Sequence, residues 1–390
     1  MRILHICAYT WSIGGPARVI HDWAAEAVRR GHAVDVLSPM SLDDQVYPAP
    51  AGVRVVPVLR TPPISRFFRE YSVGLYQFLK AHIQDYDIIH CHGLWHFGTL
   101  APFWLDRRVA KVVTIHGLLD RWAVRQSYWK KRAMDLLLQK RFLERADLIH
   151  LISLDEADDL VRYLGHQHPH TLFVPNGIPT AEYAQLPPPA SFRQRHGLIP
   201  EQPVVLFMSR LHVKKGLGLL LPAFEQYVRQ HPNARLLLAG PDDGYQATAE
   251  AFIREHQLSE QVKLVGMLTG DDKRAALAVA DVFVLPSYSE GFSIAVLEAM
   301  AAGVACVVSD RVGFGDVIRQ TGAAHLTDTT VEAVRDGLDR VLGDDAYRRQ
   351  LAETGQTVVC ERYDIAVVAD QLLTAYEKIV MNRSVGADGR

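Results

Sequence analysis

Residues 281–303, DVFVLPSYSEGFSIAVLEAMAAG, constrain the fold more than any other stretch of the chain. Val282, Phe283, Val284 and Leu285 form a short, wholly apolar, β-prone run, which predicts a strand covered on both faces, and Pro286 ends it. Beyond Glu290-Gly291-Phe292-Ser293, the apolar residues Ile294, Leu297, Met300 and Ala301 recur at helical spacing, which predicts a helix whose N-terminus faces the turn. Glu290 then stands at the mouth of the turn and Glu298 on the flank of the helix. The backbone N–H groups of Gly291, Phe292 and Ser293 have no partner inside such a helix, and free N–H groups at a helix start bind anions such as phosphate. A carboxylate deeper on the same helix can accept hydrogen bonds from vicinal hydroxyls, as on a ribose. Two glutamates at this spacing mean nothing alone, since a solvated helix face also carries them; placed between a buried strand and a Gly-Phe helix start, they can hold both parts of a nucleotide.

A chain of 390 residues is long enough for two domains that each bury a core. Its 42 basic and 44 acidic residues give no argument for nucleic acid. Cys7, Cys91, Cys306 and Cys360 lie far apart without a C-x-x-C pair, which suits reduced thiols in a cytoplasmic protein. The opening MRILHICAY reads as a first strand rather than a signal peptide, and no apolar run approaches the length of a membrane span.

In the first half, residues 2–8 (strand), 17–30 (helix) and 33–38 (strand) make a βαβ unit and so a parallel sheet. The turn Trp11-Ser12-Ile13-Gly14-Gly15-Pro16 aims free N–H groups at the C-terminal sheet edge, where open α/β folds bind ligands. A dinucleotide-binding fold would put an acid near Asp35, but Pro16 and Val19 break the glycine fingerprint, which argues against NAD. Asp87–His92, DIIHCH, is a strand with His90 and His92 on one face. No third ligand of suitable spacing is evident beside them, so the expectation is no metal, with the two lining a cleft or satisfied in the core. KVVTIH is a further strand, ending in His116-Gly117 at the same edge, and Asn176-Gly177 is a turn signal. From Arg60 to Arg145 there are fifteen Lys or Arg against seven Asp or Glu. That region mixes aromatics with cations, including Arg125, Lys130 and Lys131, a composition suited to an anionic membrane surface or acceptor; the plainer alternative is a solvated face over core tryptophans.

Residues 183–203 are proline-rich and read as a linker carrying a short helix. A second αβ series follows, and its first strand, 204–208, delivers Ser209-Arg-Leu-His-Val-Lys-Lys-Gly216 to the sheet edge. The expected domains are 1–182, completed by a C-terminal helix over 364–382, and 204–363. Two Rossmann-like parallel-sheet halves would then face each other across a cleft, the default place for a site.

SEGFSIAVLEAMAAG together with SRLHVKKG closely resembles the nucleotide-sugar half of retaining glycosyltransferases of family 4, which have the GT-B fold. The resemblance is strong over 204–312 and looser over the first half. It implies a metal-independent enzyme, without a cofactor, that moves a hexosyl unit from a nucleoside diphosphate sugar, a UDP- or GDP-sugar, to an acceptor hydroxyl. The acceptor class implied is a glycan or lipid-linked intermediate of cell-surface glycan synthesis, reached from the cytoplasmic side, with peripheral contact to the membrane through 60–145. By residue, it implies that Arg210 and Lys215 hold the diphosphate, with Lys214 as a substitute, and that Glu298 holds the ribose. Glu290 and His116 would meet the transferred sugar, Gly14 and Gly15 approach donor phosphate or acceptor, Met267 lies where the base binds, and Asn176 sits at the base of the cleft. Fixed cations suit this chemistry, because breaking a sugar–phosphate bond builds negative charge on the leaving group. Val312-Gly-Phe-Gly-Asp316 departs from the family pattern, which leaves Phe314 and Asp316 without an implied role. A sugar-nucleotide epimerase or phosphorylase of the same fold, or a non-catalytic sugar-nucleotide-binding protein, are the alternatives.

Overall fold

The computed structural model describes residues 1–10, 15–120, 124, 131–132 and 134–387. The chain forms two compact units, Met1–Gly177 with Ile365–Arg390, and Ile178–Asp364. The first is built on a seven-stranded sheet in the order β3-β2-β1-β4-β5-β6-β7. These strands are β1 (Arg2–Ile6), β2 (Ala33–Met40), β3 (Val53–Leu59), β4 (Ile88–His92), β5 (Ala110–Thr114), β6 (Leu148–Leu151) and β7 (Thr171–Phe173). Every neighbouring pair is parallel. Strands β4, β5 and β6 are buried along their whole length, as the apolar runs there require. The first helix, Gly15–Arg29, lays Val19, Ile20, Trp23, Ala24 and Ala27 on the core.

The last helix, Ile365–Ala387, belongs to this first unit and packs on the first helix. Arg30 ties the two, donating to the Asp370 carboxylate at 2.5 Å and to the Ala366 carbonyl at 2.6 Å. Arg383 anchors the far end on the carboxylate of Asp147 and the carbonyl of Arg108. The Tyr376 hydroxyl reaches the sheet itself, 2.5 Å from His90 Nδ1.

The second unit carries a six-stranded parallel sheet in the order β10-β9-β8-β11-β12-β13. Its strands are β8 (Val204–Met208), β9 (Arg235–Ala239), β10 (Val262–Gly266), β11 (Val282–Leu285), β12 (Ala305–Ser309) and β13 (His325–Thr327). Residues 183–203, expected as a linker, are instead packed into this unit. Phe192 is fully buried and Tyr183 nearly so, and the helix Ala190–Arg195 lies against the helix Gly270–Val279. Pro189 stands at the N-cap of the Ala190–Arg195 helix, and the two aromatic side chains anchor the segment in the core.

Strand order reverses once in each sheet, between β1 and β4 in the first and between β8 and β11 in the second. Such switch points leave a crevice outside the strand ends, where open α/β sheets take their ligands. Residues singled out in the sequence sit at or beside both places. His90 and His92 lie on β4 and His116 just past β5, and the loops carrying Lys215 and Glu290 follow β8 and β11.

Candidate active site

In the second unit, the loops after β8 and β11 are fastened to each other through backbone. Gly216 has φ 76°, and a Cβ placed on it would come within 1.9 Å of the Pro286 carbonyl oxygen. Tyr288 N donates to the Lys214 carbonyl at 2.9 Å. A side chain at 216 would therefore meet both a left-handed backbone and a rigid obstacle. Gly216→Ala is expected to cost roughly 3 kcal/mol of stability, read as a lower midpoint in urea denaturation; a midpoint equal to wild type would show that the loops can part freely.

This fastening brings Lys215 Nζ onto the Glu290 carboxylate, with both side chains 12% exposed. The same carboxylate oxygen lies 3.5 Å from Ser287 Oγ, and the Glu290 backbone N–H donates to the Arg311 carbonyl at 3.0 Å. Directly after it comes Gly291, then Phe292, buried against Phe314 and Tyr363 at ring distances of 5.2 and 5.7 Å. Phe314, which the sequence left without a role, is thus a packing partner of the helix start. The helix Ile294–Ala301 begins after Ser293, whose side chain makes no capping hydrogen bond. The helix start therefore keeps backbone donors that its own cap residue does not satisfy.

Glu298 is buried on this helix, and Lys273 Nζ donates to its Oε1 at 2.5 Å. Lys273 also lies 5.9 Å above the Tyr183 ring. Sequence reasoning missed Lys273, because 25 residues separate it from its partner and only the fold joins them. Arg210 is more exposed and is paired with Asp243, another residue the sequence did not single out. Met267 is half exposed after Gly266, where the β9–β10 register shifts.

In the first unit, Gly14 lies outside the described residues, as do Arg125 and Lys130. Gly15 opens the first helix with nothing within 4 Å of an added Cβ. Asp35 does not stand ready for a ribose, since Arg54 and the Tyr86 hydroxyl hold its carboxylate. Of the aromatic and basic stretch, Trp95, Phe97 and Phe103 are core residues, and Lys131 caps the Trp95 ring at 4.3 Å. Trp104 is 46% exposed. Among the described residues no helix is long and apolar enough to cross a membrane.

The histidines differ most from the sequence reading. A third histidine does stand beside them: His5, which pairs in register with His90 across β1 and β4. Ligating nitrogens of His5, His90 and His92 lie within 4.8 Å of one another, all buried. Hydrogen bonds already engage them. His150 Nε2 faces the Val174 carbonyl at 2.7 Å and must donate to it, so in a neutral ring Nδ1 accepts from Thr114 Oγ1 at 2.8 Å. The Thr114 oxygen then accepts from His90 Nε2 at 2.6 Å, which leaves His90 Nδ1 to accept from Tyr376. One carbonyl thereby sets two tautomers and the direction of four hydrogen bonds. A metal at His90 would have to displace Tyr376.

A second chain runs from His5 Nδ1 to His92 Nε2 at 2.9 Å and from His92 Nδ1 to His116 Nε2 at 3.0 Å. Burial holds all five rings neutral, with His5 and His150 lowered to about 4, His116 to about 3, and His90 and His92 well below the usual value. A small cavity lies among them, lined also by Trp23 and Asn176. Asn176 is buried, and its Oδ1 has no hydrogen-bond partner among the described residues.

His116 has φ 56° and Gly117 φ 70°. The carboxylate of Glu156, at the start of the helix Asp155–Leu164, accepts from Gly117 N at 2.5 Å and from Ile152 N at 2.7 Å. Burial pushes its pKa up to about 7.

Family models match both halves of the chain: "Glycosyltransferase Family 4" over residues 13–182 and "Glycosyl transferases group 1" over 190–358. A phosphatidyl-myo-inositol mannosyltransferase of Mycobacterium tuberculosis is 28% identical, covering 97% of each chain. A D-inositol 3-phosphate glycosyltransferase of Corynebacterium diphtheriae is 25% identical over 94% of this chain and 90% of its own. Among solved structures, a sucrose-phosphate synthase from Thermosynechococcus elongatus superposes with a TM-score of 0.80 at 20% identity, covering 98% of this chain and all of its own. Anabaena HepE, solved with UDP and glucose, superposes at 0.77 with 19% identity, covering 97% of this chain and all of its own. With two parallel-sheet Rossmann-like units and a family match in each half, the chain belongs to the glycosyltransferases of family 4 and has the GT-B fold.

Proposed function

We propose that this glycosyltransferase is a retaining hexosyltransferase that uses a nucleoside diphosphate sugar, a UDP- or GDP-sugar, without a metal or other cofactor. The observation that carries the reading is the backbone fastening of the loops after β8 and β11. It sets Lys215 beside Glu290 and next to a helix start with no side-chain cap, while Glu298 waits farther along the same helix. A cation beside a helix start without a side-chain cap suits a diphosphate, and a buried carboxylate suits ribose hydroxyls. Lys215 and Arg210 would stabilise the charge that grows as the sugar–phosphate bond breaks. Glu290 and His116 would orient the hexose, with Gly14 and Gly15 near phosphate or acceptor, Met267 near the base and Asn176 beneath the site. The acceptor oxygen attacks the anomeric carbon from the face the phosphate leaves, its proton passes to the departing phosphate oxygen, and the configuration is kept.

The acceptor class we assign is a lipid-linked or polysaccharide intermediate reached from the cytoplasmic face, and the inositol-bearing names of the relatives make phosphatidylinositol the first to try. A thermal-shift screen of UDP, GDP and ADP and their hexose conjugates tests the donor, since a ligand that binds the folded state raises its melting temperature. Nucleoside diphosphate released only when acceptor is supplied, with an α-linked product from an α-linked donor, is the expected result. Release independent of acceptor, or an inverted product, would reject transfer with retention. Glu298→Ala is expected to weaken nucleoside diphosphate binding about tenfold, the worth of hydrogen bonds to a charged group, and titration calorimetry checks it.

A further inference from the structure

We propose that Glu156 is a positioning residue for sugar transfer, acting through the His116–Gly117 turn. The inference rests on the reading above, in which His116 meets the transferred sugar. His116 is a non-glycine residue in the left-handed region, and the next residue is left-handed too. Such a backbone is unfavourable and persists only where its surroundings hold it. Here two buried groups do so. Glu156, 2% exposed, takes the Gly117 N–H with one oxygen and the Ile152 N–H with the other, and so fixes the end of β5 to the end of β6. His92 takes the ring, Nδ1 to Nε2 at 3.0 Å.

A carboxylate buried without a cation as its hydrogen-bond partner is costly, and a leucine would fill the same space, so packing alone does not explain it. What a leucine could not do is receive two backbone N–H groups from adjacent strand ends. Glu156 therefore sets the backbone of His116 and His92 sets its ring. With Nε2 turned to His92, Nδ1 is the nitrogen His116 presents to a sugar hydroxyl.

The experiment pairs Glu156→Gln, which keeps the volume but only one acceptor oxygen, with two readouts. The first is the long-range 1H–15N spectrum of protein labelled with 15N-histidine, where His116, assigned by His116→Asn, should lose its single-tautomer pattern in the variant. The second is steady-state transfer with the nucleotide sugar selected by the screen, where kcat should fall at least tenfold while the Kd for UDP or GDP stays within twofold. An unchanged His116 spectrum with wild-type kcat overturns the proposal. Equal losses in kcat and nucleotide affinity overturn it too, because a general loosening would do that. Should the glutamine variant not fold, Glu156→Asp, which keeps the charge but withdraws it by one methylene, carries the same readouts. If wild type binds no nucleotide sugar, the functional reading fails, while the spectrum still decides whether Glu156 holds His116.

Discussion

Lowering the pH from 7 to 5 is expected to strip the first unit of much of its stability. Five histidines lie neutral in its interior with pKa values pulled below the ordinary 6.5, those of His5 and His150 to about 4 and that of His116 to about 3. A group whose folded pKa is depressed adds stability that is present above the unfolded value and lost as the pH falls towards the folded one. Between pH 6.5 and 5 the His5, His150 and His116 rings cost about 2 kcal/mol each, about 6 kcal/mol together, and burial of His90 and His92 acts in the same direction. Glu156 works in the opposite sense. Its folded pKa is raised to about 7, so its contribution is lost as pH rises through 7 and regained below, which offsets about 2 kcal/mol of that cost. The remainder, about 4 kcal/mol before His90 and His92 are counted, is a large share of the whole stability of many domains. Urea denaturation at pH 7, 6 and 5 should show the loss as net uptake of several protons on unfolding. A flat profile over this range would mean that the rings are solvated and the network is not closed.

Lys215→Ala is expected to lower kcat by about 10²–10³-fold, with a smaller change in nucleoside diphosphate affinity. The ammonium and the Glu290 carboxylate are nearly enclosed, so their field is little screened. In the proposed reaction charge grows on the leaving phosphate, and a fixed cation there would favour the transition state over the bound donor. Arg210 is exposed and paired with Asp243, so its removal should cost less. Single-turnover rates with Kd from calorimetry separate the two effects. A Lys215→Ala enzyme with wild-type kcat would place the diphosphate elsewhere.

The sequence was most legible where one local pattern carried one element. Apolar runs revealed β8 and β11, and helical spacing after Ser293 located the helix that bears Glu298. β3 went unread because Pro57 interrupts its run; as an edge strand with a half-exposed face it tolerates proline where an inner strand would not. The Lys215–Glu290 neighbourhood was implied by the family resemblance, whereas Lys273, Asp243 and Glu156 carry no local mark. Each gains its meaning from a partner 25 or more residues away. His5 was overlooked for the same reason. Two histidines on β4 were visible by alternation, but the third lies on β1, and which strand neighbours β4 is a matter of topology rather than of spacing.

The placement of the last helix reverses the usual schedule of assembly on the ribosome. Nascent domains generally form in the order they emerge. Here the second unit is one unbroken segment, Ile178–Asp364, while the first lacks Tyr376, Arg383 and the partner of Arg30 until the second has been made. The half made first is thus completed last, and a stop codon anywhere before residue 365 would leave the buried face of the first helix and His90 open to chaperones and proteases.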